Sequence, residues 1–286
     1  MLSDSTAGVK NLSTVERPRV SLKEILLPHP NTHLIFDLKP NMNVTFQRSH
    51  VQTNECGFRG PNRKKVREPN TFRIALLGDS FAFGWGVEYE ESFGYVLEES
   101  LNEKTKGNLR VEVLNFGVPG YSTFQELELF KETAQDYDPD LVLVYIVEND
   151  VGHPAFLADP DGSGNIRHLT KEIARRTTER FPNPNHAIGE LSEMGRKEGF
   201  KVYAVINPNR HEEKVRGQFW ALRQKHYGIK QLRIGDRFRE LIEERKIPIK
   251  SLSLGWDPHP SRVKHALLGE ILAEQLWMKN SELKNR

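Results

Sequence analysis

The sequence predicts an α/β fold: a three-layer α/β/α sandwich on a mainly parallel five-stranded sheet. Three observations carry that expectation. Apolar runs of strand length recur along the chain, the form taken by strands buried on both faces. Segments with apolar residues at helical spacing alternate with them, which calls for crossover connections and therefore parallel neighbours. Finally, 286 residues that are 37% hydrophobic and 28% charged suffice for one such domain with an appendage and would be cramped as two.

Taken in order, residues 1–16 are polar and aperiodic and read as a flexible tail. Residues 17–70 are rich in Pro, Asn, Arg and Lys, with short apolar fragments at Ile25-Leu26-Leu27 and His33-Leu34-Ile35-Phe36. They read as an extended segment wrapping the core, too poor in apolar residues to fold alone. The core domain spans 71–279, with strands expected at Phe72 to Leu77, Val111 to Phe116, Leu141 to Val147, Val202 to Ile206 and, most weakly, Ile247 to Leu252. Helices are expected at Phe93 to Leu101, Phe124 to Gln135, Ile188 to Gly199 and Leu232 to Arg245. Ser122 and Gln125 have the spacing of a capping box ahead of Phe124-Leu127-Leu129-Phe130. Ser261 can start a last helix carrying Leu267, Ile271, Leu272, Leu276 and Trp277. Pro208 to Lys230 is charged and aromatic, either a helical lid or an irregular insertion, and 280–286 is a C-terminal tail.

The formal charge of +2 lacks the basic stripe that neutralises a nucleic-acid backbone, so no nucleic acid is expected as partner. Cys56 is the only cysteine, so no intrachain disulfide can form and the chemistry falls to oxygen, nitrogen or carboxylate groups. No stretch has the apolar length of a transmembrane helix, and Met1 to Lys10 lack the apolar core of a signal peptide. Taken as written, the chain is expected to be soluble and cytoplasmic. A periplasmic or secreted protein trimmed of its leader would read the same.

In open parallel sheets, ligands bind beyond the carboxyl ends of the strands. Those positions here read Gly78-Asp79-Ser80-Phe81, Asn115-Phe116-Gly117-Val118-Pro119-Gly120 and Glu148-Asn149-Asp150, and a late loop reads Gly255-Trp256-Asp257-Pro258-His259-Pro260-Ser261. With these blocks the sequence resembles the SGNH (GDSL-type) hydrolase family. Its four naming residues, a serine in Gly-Asp-Ser, a glycine, an asparagine and a histidine, match Ser80, Gly117, Asn149 and His259 in order. The likeness spans most of Arg73 to Leu276 and is densest from Ile74 to Val87. Thr53-Asn54-Glu55-Cys56-Gly57-Phe58-Arg59-Gly60 is also similar to a segment that precedes that block in some bacterial members. The resemblance implies a flavodoxin-like α/β/α fold, a serine nucleophile, and neither metal nor organic cofactor.

The physical case is independent of the likeness. An alcohol is a weak nucleophile at neutral pH, so Ser80 needs a base, and His259 can take its proton and later return it to the leaving alcohol. Attack on an acyl carbon creates an oxyanion, for which the N–H of Gly117, the Asn149 side-chain amide and the N–H of Ser80 are the candidate donors. The family places aspartate three residues before the histidine. Here Trp256 stands there, and Asp257, two residues before, or a backbone carbonyl near Gly255 or Trp256, orients the imidazole. Val147 replaces the glycine that the family carries before Asn149-Asp150.

Several features have plainer readings. Asp159 to Ile166 resembles the start of a calcium loop, but Thr170 stands where the closing glutamate belongs, so a turn is the better reading. His153 and His168 match no zinc spacing. His265 packs near the site within the final helix, and Asp79 shapes the turn before Ser80. Trp85, Tyr121, Phe219, Trp220 and Trp256 are pocket or core aromatics. The sequence therefore predicts a serine esterase acting on small-molecule, carbohydrate or lipid esters, short-chain or O-acetylated. Two rivals stay open: an O-acyltransferase using the same Ser/His pair, and a non-catalytic carbohydrate- or partner-binding protein on the same fold.

Overall fold

A computed structural model describes residues 17–148, 156–158, 166–168, 184–209 and 230–285. The N-terminal segment carries a single helical turn, α1 (Leu22–Ile25), and two antiparallel hairpins, β1 (Leu26–Pro28) with β2 (Phe36–Leu38) and β3 (Asn43–Phe46) with β4 (Ser49–Gln52). There follow β5 (Thr71–Gly78), α2 (Ser80–Phe83), α3 (Phe93–Thr105), β6 (Arg110–Asn115), α4 (Thr123–Glu132), β7 (Leu141–Ile146) and a short hairpin of β8 (Phe156–Ala158) with β9 (Ile166–His168). The chain continues through α5 (Pro184–Glu198), β10 (Lys201–Ile206), β11 (Lys230–Leu232), α6 (Gly235–Glu244), α7 (Arg262–Lys279) and α8 (Glu282–Asn285).

Five strands form one parallel sheet in the order β11-β10-β7-β5-β6. Strand residues alternate between its two faces. Ala75, Leu77, Val142, Val144 and Ala204 pack with Leu127 and Phe130 of α4 and Leu191 of α5. Ile74, Leu76, Leu143, Tyr145 and Val205 pack with Phe93 and Leu97 of α3, Phe238 of α6 and Leu268 of α7. Helices thus cover both faces, and the three-layer α/β/α architecture follows from side-chain period alone. Among the described residues, no helix is long and apolar enough to cross a membrane.

The fifth strand is not the one expected. Ile247 to Leu252 does not join the sheet: Ile249–Leu252 is a 3₁₀ turn preceded by Pro248, and Ile249 is 70% exposed. Proline has no N–H to give a ladder, and an exposed apolar side chain has no sheet face to pack on. The edge position belongs to β11, whose Leu232 is fully buried and whose pairing runs Tyr203↔Lys230 to Val205↔Leu232. Most of Pro208 to Lys230 lies outside the described residues, as do the 1–16 tail, His153, Phe219, Trp220 and most of Asp159 to Ile166.

The N-terminal segment adds Ile25, Leu34, Phe36, Leu38, Phe46, Val51 and Phe58 to the buried cluster on one face of the sheet. It is also fastened by a charge network at the amino-terminal end of the strands. Arg73, 1% exposed, pairs with Glu112 directly across the ladder at 2.9 Å and donates to the carbonyls of Lys64, Lys65 and Tyr137. Arg63 reaches Glu98 at 2.7 Å and Glu112 at 3.4 Å. Burying such charges is costly unless ion pairs or hydrogen bonds compensate them, and here both do.

The registers bring the carboxyl ends of the strands to one edge, with Gly78 beside Tyr145, Leu76 beside Asn115 and Ile146 beside Ile206. The segments that start at Asp79, Phe116 and Val147 therefore emerge together.

Candidate active site

Ser80 opens the one-turn helix α2 directly after β5. Asp79 caps it, its Oδ1 accepting the Phe81 N–H at 2.9 Å, and Gly84 ends it in the left-handed region at φ +84°. A serine at the first position of such a turn is held rigidly and is 7% exposed. Its hydroxyl has one proton and two acceptors in reach: His259 Nε2 at 2.8 Å and Asp79 Oδ2 at 3.2 Å. The imidazole is the closer.

His259 comes from the loop ahead of α7. That loop is closed like a small hairpin: Leu254 N–H donates to His259 O at 3.0 Å, Ser261 N–H donates to Leu252 O at 3.1 Å, and Ser253 bridges Pro260. Asp257 Oδ1 accepts twice, from the His259 backbone N–H at 2.9 Å and from Nδ1–H at 2.5 Å. With Nδ1 facing a carboxylate, the proton belongs on Nδ1, which leaves Nε2 free to accept from Ser80. Of the orienting groups left open by the sequence, the structure puts Asp257 at Nδ1. The loop is not the extended segment expected: residues 255–259 bend, and the bond from the His259 backbone N–H to Oδ1 folds the Asp257 carboxylate back onto the ring, so the shortened spacing still reaches Nδ1.

The structure gives Gly117 another contact. Its N–H donates to Asn115 Oδ1 at 2.9 Å, while Asn115 Nδ2 donates to Ala82 O at 2.7 Å, so Asn115 ties this loop to α2. A Cβ on Gly117 would lie 2.3 Å from Phe83 N and 2.7 Å from Ala82 C, so the glycine is there because two backbones touch. Gly120 lies three residues on. Pro119 and Gly120, at φ +87°, form the centre of a type II turn closed by Tyr121 N–H to Val118 O at 3.1 Å. The Gly120 N–H takes no part in that bond and has no partner among the described residues. The Pro-Gly pair was its signal in the sequence. Asn149 lies outside the described residues.

His265 is fully buried beneath the site. Its Nδ1 accepts the Phe93 N–H at 3.1 Å, and burial, aided by the nearby cations Arg59 and Lys264, pushes its pKa down to about 3, so it stays neutral. It packs and does not reach Ser80. On the other side of the nucleophile, both carboxyl oxygens of Glu126 in α4 are buried without a partner among the described residues. Burial first, and the neighbouring Asp79 second, push its pKa well above the usual carboxylate range. No described group of three or more His, Cys, Asp or Glu side chains could hold a metal ion.

The model of the GDSL-like Lipase/Acylhydrolase family matches residues 76–226. The chain belongs to this family. The match takes in the Gly78-Asp79-Ser80 turn and the loop after β6, so the GDSL-like chain is a member of a hydrolase family whose serine block stands on the sheet edge described above. No curated protein matches it. Among solved structures, it is similar to the acetyl xylan esterase AlAXEase, 14% identical over 73% of this chain and 99% of that one, TM-score 0.49. The lipase/acylhydrolase from Enterococcus faecalis is 16% identical over 73% and 96%, TM-score 0.46. The psychrotrophic esterase EstA from Pseudoalteromonas sp. is 16% identical over 74% and 100%, TM-score 0.45.

Proposed function

We propose that this chain is a serine hydrolase that cleaves acyl esters, short-chain or O-acetyl esters of carbohydrates or lipids, through an acyl-serine intermediate. One observation carries the reading: the unbroken relay from Asp257 Oδ1 to His259 Nδ1 at 2.5 Å and from Nε2 to Ser80 Oγ at 2.8 Å. Family membership supports it.

In the first half-reaction, Ser80 Oγ attacks the acyl carbon while its proton passes to Nε2. The ester C–O bond then breaks, and the imidazolium protonates the departing alcohol. In the second, water attacks the acyl-serine and gives its proton to Nε2. Ser80 Oγ leaves as the new C–O bond forms and recovers that proton, releasing the carboxylic acid. Asp257 stabilises the imidazolium in both halves. For the oxyanion, the Ser80 N–H and the Asn149 amide remain the proposed donors. Gly120 N–H joins them in preference to Gly117, because it has no partner among the described residues whereas that of Gly117 is already donated to Asn115.

The test is turnover of p-nitrophenyl acetate, butyrate and octanoate by the wild-type protein and Ser80→Ala together. The expected result is preference for the shortest ester and a loss of about a thousandfold or more in the variant. Equal rates would remove Ser80 from the mechanism. Product analysis with a polyol present separates transfer from hydrolysis.

A further inference from the structure

We propose that Trp85 is the positioning residue for the His259 imidazole, and that the N-terminal segment belongs to the proton relay's scaffold by holding it. The proposal rests on His259 acting as general base.

The indole of Trp85 stacks on the imidazole with centroids 4.7 Å apart and planes 15° from parallel. Phe81 approaches the same ring at 5.3 Å and 47°. Asp257 and Ser80 hold the two nitrogens, but two bonds on opposite edges leave the ring free to tilt about the line between them. A flat face laid against it removes that freedom. The indole N–H is buried and has no partner among the described residues, so the face is what this side chain contributes. It also meets the cation that forms when Nε2 takes the serine proton, and an aromatic face attracts such a cation.

Trp85 is itself held from two directions. Its backbone N–H donates to Ser80 O at 3.0 Å. On either side of it, the fully buried guanidinium of Arg59 grips the backbone: Nη1 donates to Phe83 O at 3.0 Å and Gly84 O at 2.5 Å, and Nη2 to Val87 O at 2.6 Å. No carboxylate pairs with Arg59 among the described residues; backbone carbonyls accept its hydrogen bonds and the Phe83 ring lies 5.1 Å beneath it. Phe46 of β3 meets the indole edge-on at 4.8 Å and 80°. The next residue, Gly86, passes so close to the histidine loop that a Cβ would lie 2.5 Å from Leu254 Cδ1. Arg48 lies 4.6 Å over the ring of Trp256, on the histidine loop itself. Phe46, Arg48 and Arg59, all before residue 60, thus brace both the indole and the loop that carries His259. The Gly57-Phe58-Arg59-Gly60 block, which the chemistry above leaves without a task, acquires one.

The titratable and charged groups around the imidazole are Asp257 on its own loop, Asp79 beside Ser80, His265 and Lys264 on α7, and Arg59 beyond the Trp85 backbone. Substituting Trp85 changes none of them. Loss of the aromatic face destabilises the imidazolium relative to the neutral ring, so the acid limb of kcat/KM against pH is expected to move to lower pH.

The experiment compares Trp85→Leu and Trp85→Phe with wild type on p-nitrophenyl acetate across pH, with Ser80→Ala run in parallel and thermal melts of each protein. In Trp85→Leu we expect kcat to fall about ten- to a hundredfold with KM little changed, and the acid limb to move down by about half a unit or more. Trp85→Phe should recover most of both. An unmoved limb, or Leu and Phe variants that behave alike, overturns the proposal while leaving the esterase reading intact; activity insensitive to Ser80→Ala overturns that reading instead. Should Trp85→Leu fail to fold, Phe46→Leu takes its place, and the same two readouts must shift in the same direction by a smaller amount.

Discussion

Asparagine in place of Asp257 tests the relay sharply, because the structure predicts a milder loss than this substitution causes where the amide can rotate. When the new NH2 group faces the imidazole, it traps the wrong tautomer, and the cost is about ten thousandfold in kcat. Here the same oxygen also accepts the His259 backbone N–H at 2.9 Å. A rotated amide would set NH2 against that N–H and leave a donor unsatisfied, at about 1–3 kcal/mol. The amide oxygen of the Asp257→Asn variant therefore stays on Nδ1–H and the reactive tautomer survives. What goes is the charge. A hydrogen bond to an ionised group contributes about 1.5–3 kcal/mol and a neutral one about 0.5–1.5, and with both side chains 20% exposed the remaining Coulomb attraction is screened. The difference, about 1.3 kcal/mol, corresponds to about tenfold in rate. Asp257→Ala removes the orienting oxygen as well and should lose at least ten times more. The assay is kcat/KM on p-nitrophenyl acetate at the pH plateau for both variants. If asparagine is as damaging as alanine, the double acceptor at Oδ1 is not what sets the tautomer.

Two further outcomes follow from the packing around Ser80. Glu126 keeps its proton in the fold far above the ordinary carboxylate value of 4.5, whereas the unfolded chain releases it there. Stability therefore falls as pH rises above that value. Glu126→Gln has no proton to lose, so its urea midpoint should gain on wild type from pH 5 to pH 8; a gap independent of pH would show that Glu126 ionises in the fold. Gly117→Ala would drive a Cβ to 2.3 Å from Phe83 N, displacing the helix that carries Ser80. It should cost about 1–3 kcal/mol by thermal or urea unfolding and lower kcat with it, and a variant of wild-type stability would refute the close approach.

The sheet was readable because a strand buried on both faces must be apolar at nearly every position, a local requirement that leaves its trace in consecutive residues. Four of the five strands lie within a residue or so of their expected bounds. The capping box at Ser122 and Gln125 and the Ser261 cap, whose hydroxyl accepts the Val263 and Lys264 N–H groups, are local in the same sense. The fifth strand was not readable. Three residues, Lys230–Leu232, are too few to show a period, and only pairing with Tyr203 to Val205 makes them a strand. Ile247 to Leu252 had the composition but, with Pro248 in it, not the hydrogen bonds.

The site divides the same way. The structure brings together Ser80, His259 and Asp257, each marked in the sequence by a short block at a strand or helix end, whereas the bend at 255–259 that turns the Asp257 carboxylate toward the imidazole is a product of the fold. The loop glycines could not be told apart, since which N–H is already taken depends on the Asn115 side chain folding back onto Gly117. Nor could the roles of Trp85 and Arg59. The indole and the imidazole lie 174 positions apart and Arg59 reaches carbonyls 24 to 28 residues along the chain. Contacts of that separation follow no period. They exist only once the N-terminal segment has packed against the loops at the carboxyl edge of the sheet, where burial makes bare carbonyls and a tilting ring costly and so selects the side chains that satisfy them.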